Sequence, residues 1–208
     1  MANFGQKWLR RLPGLCFVIL AAALFSACGG FATARNNDDF AGVTLTGVQH
    51  MGRDFNISEF YVDGYYGSNV GREGGGGGYM CCVMLPTKWR PGLSVEVRWA
   101  VGNWSKLDRS QTVLGDYSSL TFEIYKAQVP VEKYETAEDV YVHFFAGGKA
   151  RVVSSMAGPE GPRHPISRSD LHAADSATAG VRMDVMFTEE ELAETSRKAK
   201  EKEGKRSQ

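Results

Sequence analysis

The sequence lacks an excess of charge of either sign. Its 208 residues include 24 basic and 24 acidic side chains, so it has no basic surplus of the kind that nucleic-acid-binding proteins carry. Hydrophobic residues make up 43% of the chain, which is enough to form the core of one globular domain. The composition therefore excludes nucleic acid as the expected partner and favours a single folded domain.

The N-terminal region has no hydrophobic run long enough to span a membrane comfortably. Its apolar stretch, residues 12–25, is shorter than the roughly 20 residues that a spanning helix needs. Basic residues precede this stretch, and the small residues Ser26-Ala27 follow it. That arrangement predicts a signal peptide over residues 1–27.

The residues around the predicted cleavage site, Phe25-Ser26-Ala27-Cys28, resemble a bacterial lipobox in which Phe25 replaces the usual leucine. In such signals the cysteine becomes the lipid-modified N-terminus, and a following residue other than aspartate, here Gly29, favours retention in the outer membrane. We therefore expect a periplasm-facing chain anchored at Cys28, with a tether over residues 28–40. Ordinary secretion with Cys28 unmodified is the alternative.

Cysteine is scarce, and only Cys81 and Cys82 belong to the predicted folded part. Adjacent Cα atoms lie about 3.8 Å apart, which is shorter than the usual disulfide range of about 4.4–6.8 Å. This favours two buried structural thiols that pack as small hydrophobic side chains, and a vicinal disulfide is the alternative. The spacing does not fit a zinc site, so we expect no metal.

Catalytic motifs are also missing. The glycine run at 74–78 is followed by Tyr79-Met80-Cys81, whereas a phosphate-binding loop needs Lys-Ser/Thr and a helix at that point. There is no G-x-S-x-G elbow. Of the four histidines, His143 lies in a predicted strand and is expected to be structural, and the other three fall in loops: His50, His164 and His172. We therefore expect no catalytic residues, no cofactor and no enzyme activity.

Alternating apolar and polar residues predict about seven short strands over residues 41–187, arranged as a single antiparallel sandwich or barrel-like domain. Tyr79–Leu85 is apolar at nearly every position, which suits a strand buried on both faces. We expect it to pair as a hairpin with Leu93–Ala100, through a turn at Pro91-Gly92. A second hairpin is predicted at Gly147-Gly148, and residues 157–180 are expected to lie over the domain as an extended loop.

A charged helical tail is predicted over residues 188–208. Thr188 and Glu191 have the spacing of a capping box, and Glu194 and Lys198 can pair at i, i+4. Because this segment has few apolar residues, nothing in the sequence indicates what would hold the helix against the domain. We therefore expect a solvated, partly frayed tail.

Aromatic and arginine residues in the predicted loops indicate a contact surface, because such residues are enriched at protein interfaces. The alternative for Trp89 is that it caps the core, with Arg90 stacked on it. The residues predicted to bind a partner are Tyr65, Tyr66, Arg72, Trp89, Arg90 and Trp104.

A series of short motifs resembles a family of proteobacterial lipoproteins defined by a domain of unknown function. The resemblance covers about Ala41 to Ser155. Its motifs, in chain order, are Phe60-Tyr61-Val62-Asp63-Gly64, Gly67-x-Asn69, the glycine run, Cys81-Cys82-Val83-x-Leu85-Pro86, Trp89-Arg90-Pro91-Gly92-Leu93 and Val97-x-Trp99.

Some members of this family are similar to the immunity proteins encoded beside type VI secretion lipase effectors. The resemblance therefore implies an outer-membrane lipoprotein that binds and neutralises a toxic phospholipase, with no catalytic residues of its own. The alternative is a structural or ligand-binding envelope lipoprotein without a toxin partner.

Overall fold

The computed structural model describes residues 39–74 and 78–206. All of these fall within one structural unit, Asn37–Gln208. The predicted signal peptide, the lipidation site Cys28 and nearly all of the tether lie outside the described residues, as does the centre of the glycine run. No helix in the described part of the chain is long and apolar enough to cross a membrane.

Two five-stranded sheets form a mostly β sandwich, as the sequence predicts. The first sheet has the order β4-β1-β7-β8-β9, formed by β1 (Phe40–Gln49), β4 (Met80–Pro86), β7 (Val140–Phe145), β8 (Lys149–Ser154) and β9 (Thr178–Ala179). The second has the order β10-β6-β5-β2-β3, formed by β2 (Phe55–Val62), β3 (Tyr65–Tyr66), β5 (Ser94–Asn103), β6 (Thr121–Pro130) and β10 (Val181–Met183). Within residues 39–74 and 78–206, two helices accompany them, α1 (Arg109–Val113) and α2 (Glu189–Arg206).

The main core lies between the two sheets and is centred on three aromatic rings. Phe60 and Trp99 come from paired positions of the second sheet, and Phe144 comes from the first. All three are fully buried, and the Phe144 ring centroid lies 5.2 Å from that of Phe60 and 5.8 Å from that of Trp99. These ring contacts join the two layers of the sandwich.

Gly67 is needed because the Phe60 ring occupies the space that a side chain would take. A Cβ built on Gly67 would overlap that ring. Gly67→Ala is therefore expected to lower the free energy of unfolding by about 1–3 kcal/mol, the usual cost of overpacking a core. Urea unfolding measures this change.

Gly71→Ala is the matched control for Gly67→Ala, because a Cβ at Gly71 has no neighbour within 4 Å. It should leave the unfolding midpoint nearly unchanged. Equal midpoints for the two variants would contradict the packing assigned to Phe60.

The predicted hairpin at Gly147-Gly148 is confirmed. Strands β7 and β8 pair antiparallel from Val140↔Ser154 to Phe145↔Lys149, and both glycines have positive φ. Strands β1 and β7 pair in parallel, with Val48 opposite His143. This parallel pair brings the end of β1 beside the end of β7.

The predicted hairpin between Tyr79–Leu85 and Leu93–Ala100 is wrong. Strand β4 pairs with β1 in the first sheet, whereas β5 pairs with β2 and β6 in the second. The predicted turn at Pro91-Gly92 does form, since Gly92 has a φ of 80° and the Leu93 amide donates to the Arg90 carbonyl. The connection is long enough to cross between sheets, so it does not force adjacent pairing.

The predicted capping box at the start of α2 is confirmed. The Glu191 amide donates to Thr188 Oγ1 at 3.2 Å, and the Thr188 amide donates to Glu191 Oε2 at 3.0 Å. The Glu194–Lys198 pair is also present, at 3.4 Å. The start of the helix therefore follows from its sequence.

The expectation that nothing holds this helix is wrong for its first turn. Arg98, which is buried on β5, donates two hydrogen bonds to the Glu191 carboxylate, at 2.6 and 2.7 Å, and one to the Met186 carbonyl. These bonds to Arg98 lower the pKa of Glu191 to about 2. The sequence did not show this contact because its two partners lie 93 residues apart.

Candidate functional site

One group of predicted contact residues assembles around Trp104, immediately after β5. The Arg72 guanidinium lies 5.0 Å from the centre of the Trp104 ring, and the Tyr117 ring packs edge-on at 6.1 Å. Trp104 Nε1 donates to Asn56 Oδ1 at 2.7 Å. We call Arg72, Trp104 and Tyr117 the Trp104 cluster. It combines a fixed indole with exposed flanking residues, which suits a protein contact.

Tyr65 and Tyr66 lie on β3, the edge strand of the second sheet. Each is 44% exposed. The Tyr66 ring packs 5.4 Å from that of Tyr61, its partner on β2. The two tyrosines are therefore available at the surface, and their role in binding stays a prediction.

Trp89 packs on the core, whereas its neighbour Arg90 is exposed. Trp89 Nε1 donates to the Val131 carbonyl at 2.8 Å, which ties the loop between β4 and β5 to the end of β6. This placement corresponds to the core-capping alternative for Trp89. A contact role for Arg90 stays a prediction.

Cys81 and Cys82 are joined by a disulfide across a cis peptide bond, instead of remaining two thiols. The expectation that both are buried is wrong, because Cys81 is exposed and Cys82 is half-buried. The unbroken apolar pattern indicated a strand covered on both faces. In the fold, however, β4 is one of the two edge strands of the first sheet, and Met84 on it is also exposed.

A second group of polar residues, which the sequence did not reveal, is a row of three histidines on the outer face of the first sheet. His143 lies on β7, and His50 follows the end of β1. Because Val48 is opposite His143 in the parallel pair, His50 lies two residues further along, on the same face. His164 comes from the proline-containing loop that covers this face through Ile166 and Ala173.

The three rings form one hydrogen-bonded row, which we call the histidine chain. His50 Nε2 lies 2.8 Å from His143 Nδ1, and His143 Nε2 lies 2.9 Å from His164 Nε2. His164 Nδ1 lies 2.7 Å from the Ala157 carbonyl oxygen. His143 is completely buried in the middle, and the His50 ring stacks on Phe145 at 4.6 Å.

Burial keeps the histidine chain neutral. It lowers the pKa of His50 to about 4, with the charges of Arg168 and Arg151 adding to the effect. Burial and the neighbouring histidines hold the pKa of His143 well below 6.5, and burial also lowers the pKa of His164. All three rings are therefore uncharged at neutral pH.

These lowered pKa values predict that acid destabilises the fold. Between pH 6.5 and about 4 the unfolded chain binds protons that the folded chain does not, so the free energy of unfolding falls as the pH falls. One such histidine gives a slope of up to about 1.4 kcal/mol per pH unit. Urea unfolding at a series of pH values measures the slope.

His50→Gln should reduce this slope, because the variant loses one titrating ring and keeps a donor towards His143. His172→Gln is the control, since the His172 side chain is 85% exposed. A slope that is unchanged in His50→Gln would contradict the assigned pKa of His50.

The histidine chain opens at His50 into a cleft of about 580 Å³. This cleft is lined by Gln49, His50, Gly52, Arg53, Glu73, Gly74 and Arg168. It adjoins the Trp104 cluster, because Arg72 Nε donates to the Arg53 carbonyl at 2.9 Å. Across residues 39–74 and 78–206, no group of three or more His, Cys, Asp or Glu side chains has an arrangement that could hold a metal ion.

A comparison with known protein families supports one part of the resemblance, namely the domain of unknown function. The protein is a β sandwich that carries the Trp104 cluster and a polar cleft. Residues 51–152 match the family described as "Protein of unknown function (DUF3304)", and this match supports a domain-of-unknown-function family for the chain. No curated protein and no solved structure matched the chain.

Proposed function

We propose that this chain is a periplasm-facing, outer-membrane lipoprotein that binds and neutralises a type VI secretion phospholipase effector. The observation that carries the proposal is the Trp104 cluster. An indole fixed by Asn56 and overlaid by Arg72 is the type of residue pair that dominates protein interfaces. The motifs resemble a lipoprotein family of which some members are similar to lipase-immunity proteins, and this resemblance supports the same role.

Neutralisation in this proposal is by binding alone. The chain contributes no catalytic residue, cofactor or metal, and it blocks the effector by covering the surface that approaches phospholipid. The predicted lipid at Cys28 would keep the protein at the membrane, close to where an incoming phospholipase meets its substrate. Aromatic and arginine side chains supply much of the contact energy in such complexes.

A co-expression experiment tests the proposal. A type VI secretion phospholipase effector, taken from the neighbouring gene where that gene encodes a lipase, is directed to the periplasm of a host that also produces the full-length chain. We expect the chain to restore growth and to co-purify with the effector, and we expect Cys28→Ser to protect less well because it removes the anchor. Full toxicity in the presence of correctly localised chain would contradict the proposal.

The cleft beside His50 favours a second candidate function, that of a ligand-binding envelope lipoprotein without a toxin partner. Its volume of about 580 Å³ lies within the usual range for small-molecule sites. The neighbouring gene separates the two functions, because a lipase gene at that position favours the first and its absence favours the second.

A further inference from the structure

The cleft beside the histidine chain is held open by one buried side chain. Gln49 is 3% exposed, and its Nε2 lies 2.8–3.2 Å from four backbone carbonyls, those of Gly52, Phe55, Gly71 and Arg72. Its Oε1 accepts a hydrogen bond from the Met51 amide at 2.7 Å. Gln49 thereby fixes two loops at once, so the cleft is a formed part of the fold.

The hydrogen bonds of the histidine chain determine which nitrogen of each ring carries its proton. A carbonyl oxygen only accepts, so His164 Nδ1 must donate to Ala157. The Nε2 of neutral His164 is then an acceptor, and His143 Nε2 must donate to it. By the same argument His143 Nδ1 accepts, and His50 Nε2 donates to it.

The last step leaves His50 Nδ1 as an unprotonated acceptor. Among the described residues, no group donates a hydrogen bond to this nitrogen. The lowered pKa of His50 keeps the nitrogen unprotonated at neutral pH. A ligand that forms a hydrogen bond with His50 Nδ1 must therefore supply the donor.

The charged side chains that line the cleft are two arginines and one glutamate. Arg168 packs on Gly74: a Cβ built on this glycine would lie 3.1 Å from each terminal nitrogen of the guanidinium. The Arg168 Nε lies 2.7 Å from Glu160 Oε1. Arg53 and Glu73 are exposed at the rim. Two guanidinium groups attract an oxyanion. The Glu73 carboxylate and His50 Nδ1 are both acceptors, so the ligand must also supply a hydrogen-bond donor.

We propose that this cleft binds a phosphate group that still carries a proton, either hydrogen phosphate or the monoanion of a phosphate monoester. Its P–O⁻ oxygens would face Arg53 and Arg168, and its P–OH would donate to His50 Nδ1 or Glu73. Sulfate and phosphodiesters carry negative charge but no proton at neutral pH. They would leave both acceptors facing an oxyanion, which costs binding energy. This inference is independent of the effector.

Isothermal titration calorimetry of the full-length chain in detergent tests the proposal with inorganic phosphate and inorganic sulfate at pH 7. We expect phosphate to bind at least about tenfold more tightly than sulfate. Glycerol 3-phosphate, a soluble monoester of lipid-headgroup type, forms a third arm at pH 6, where about half of it carries a P–OH proton. Binding of the monoester identifies a headgroup-type ligand, and binding of phosphate alone identifies the free ion, so either result supports the site.

Three variants locate the site. Arg53→Gln and Arg168→Gln should each weaken phosphate binding severalfold, and His50→Gln should reduce the preference for phosphate over sulfate. Arg109→Gln, on the exposed helix α1, is the matched control and should change neither value. Arg53 is exposed at the rim, so its variant remains informative even if Arg168→Gln fails to fold.

Nitrogen-15 NMR of the imidazole rings gives a readout that a purely structural histidine chain would not change. The nitrogen-15 resonance of the unprotonated Nδ1 of His50 should shift on addition of phosphate but not on addition of sulfate. Equal affinity for the two anions, or phosphate binding that survives both arginine substitutions, would overturn the proposal. The effector complex could still form in that case, so the two proposals fail separately.

Discussion

Replacing Trp104 with alanine is expected to weaken the proposed complex with a phospholipase effector at least about 30-fold, or about 2 kcal/mol. The indole is fixed by its hydrogen bond to Asn56 and contacts both Arg72 and Tyr117. A side chain that is already held in place loses little entropy when a partner covers it. Truncation removes this anchor and leaves Arg72 without its ring.

Surface plasmon resonance with the purified effector measures this change. Tyr79→Ala is the matched control, because Tyr79 is a 59% exposed aromatic residue outside the Trp104 cluster, and it should change affinity by less than about threefold. Thermal unfolding of both variants establishes that they fold. Equal affinities for the wild-type chain and a folded Trp104→Ala chain would remove the Trp104 cluster from the interface.

Phe60→Ala is expected to lower the free energy of unfolding by about 3–5 kcal/mol. The ring is fully buried, contacts Phe144 of the opposite sheet and fills the space beside Gly47 and Gly67. Its removal leaves a cavity between the two sheets. A loss of this size is a large fraction of the total stability of a small domain.

Phe122→Ala is the matched control for Phe60→Ala, because it removes the same side chain from a position that is 51% exposed. Chemical denaturation of the two variants should give a loss for Phe60→Ala several times that for Phe122→Ala. Similar losses would mean that Phe60 does not join the two sheets as described.

The elements that could be predicted from the sequence are those fixed by neighbouring residues. Gly147 and Gly148 tolerate the positive φ that a tight hairpin needs, so the β7–β8 hairpin follows from them. Thr188 and Glu191 satisfy each other's backbone amides, so the start of α2 follows as well. Alternating strands likewise predict a β sandwich.

The elements that could not be predicted depend on partners far apart in the chain. The apolar stretch of β4 looked like a central strand, but burial depends on the strand's place in the sheet, and β4 is an edge strand. The histidine chain requires the parallel pairing of β1 with β7, and no local pattern encodes that pairing. Only the third ring, His164, comes from a loop that was expected to cover the domain.

The Trp104 cluster and the proposed phosphate cleft are adjacent on the molecule. Arg72 belongs to the Trp104 cluster, and its backbone carbonyl accepts a hydrogen bond from Gln49, which shapes the cleft. Arg72 Nε in turn donates to the carbonyl of Arg53 at the cleft rim. A partner that covers Trp104 would therefore lie beside the cleft, and phosphate can be tested for its effect on that complex.

The most direct test of the central claim is a calorimetric titration of the full-length chain with the proposed phospholipase effector. Our account predicts a saturable complex with a Kd below about 1 μM, weakened by Trp104→Ala and unaffected by Tyr79→Ala. The absence of heat change and of co-elution between the two folded proteins would contradict it.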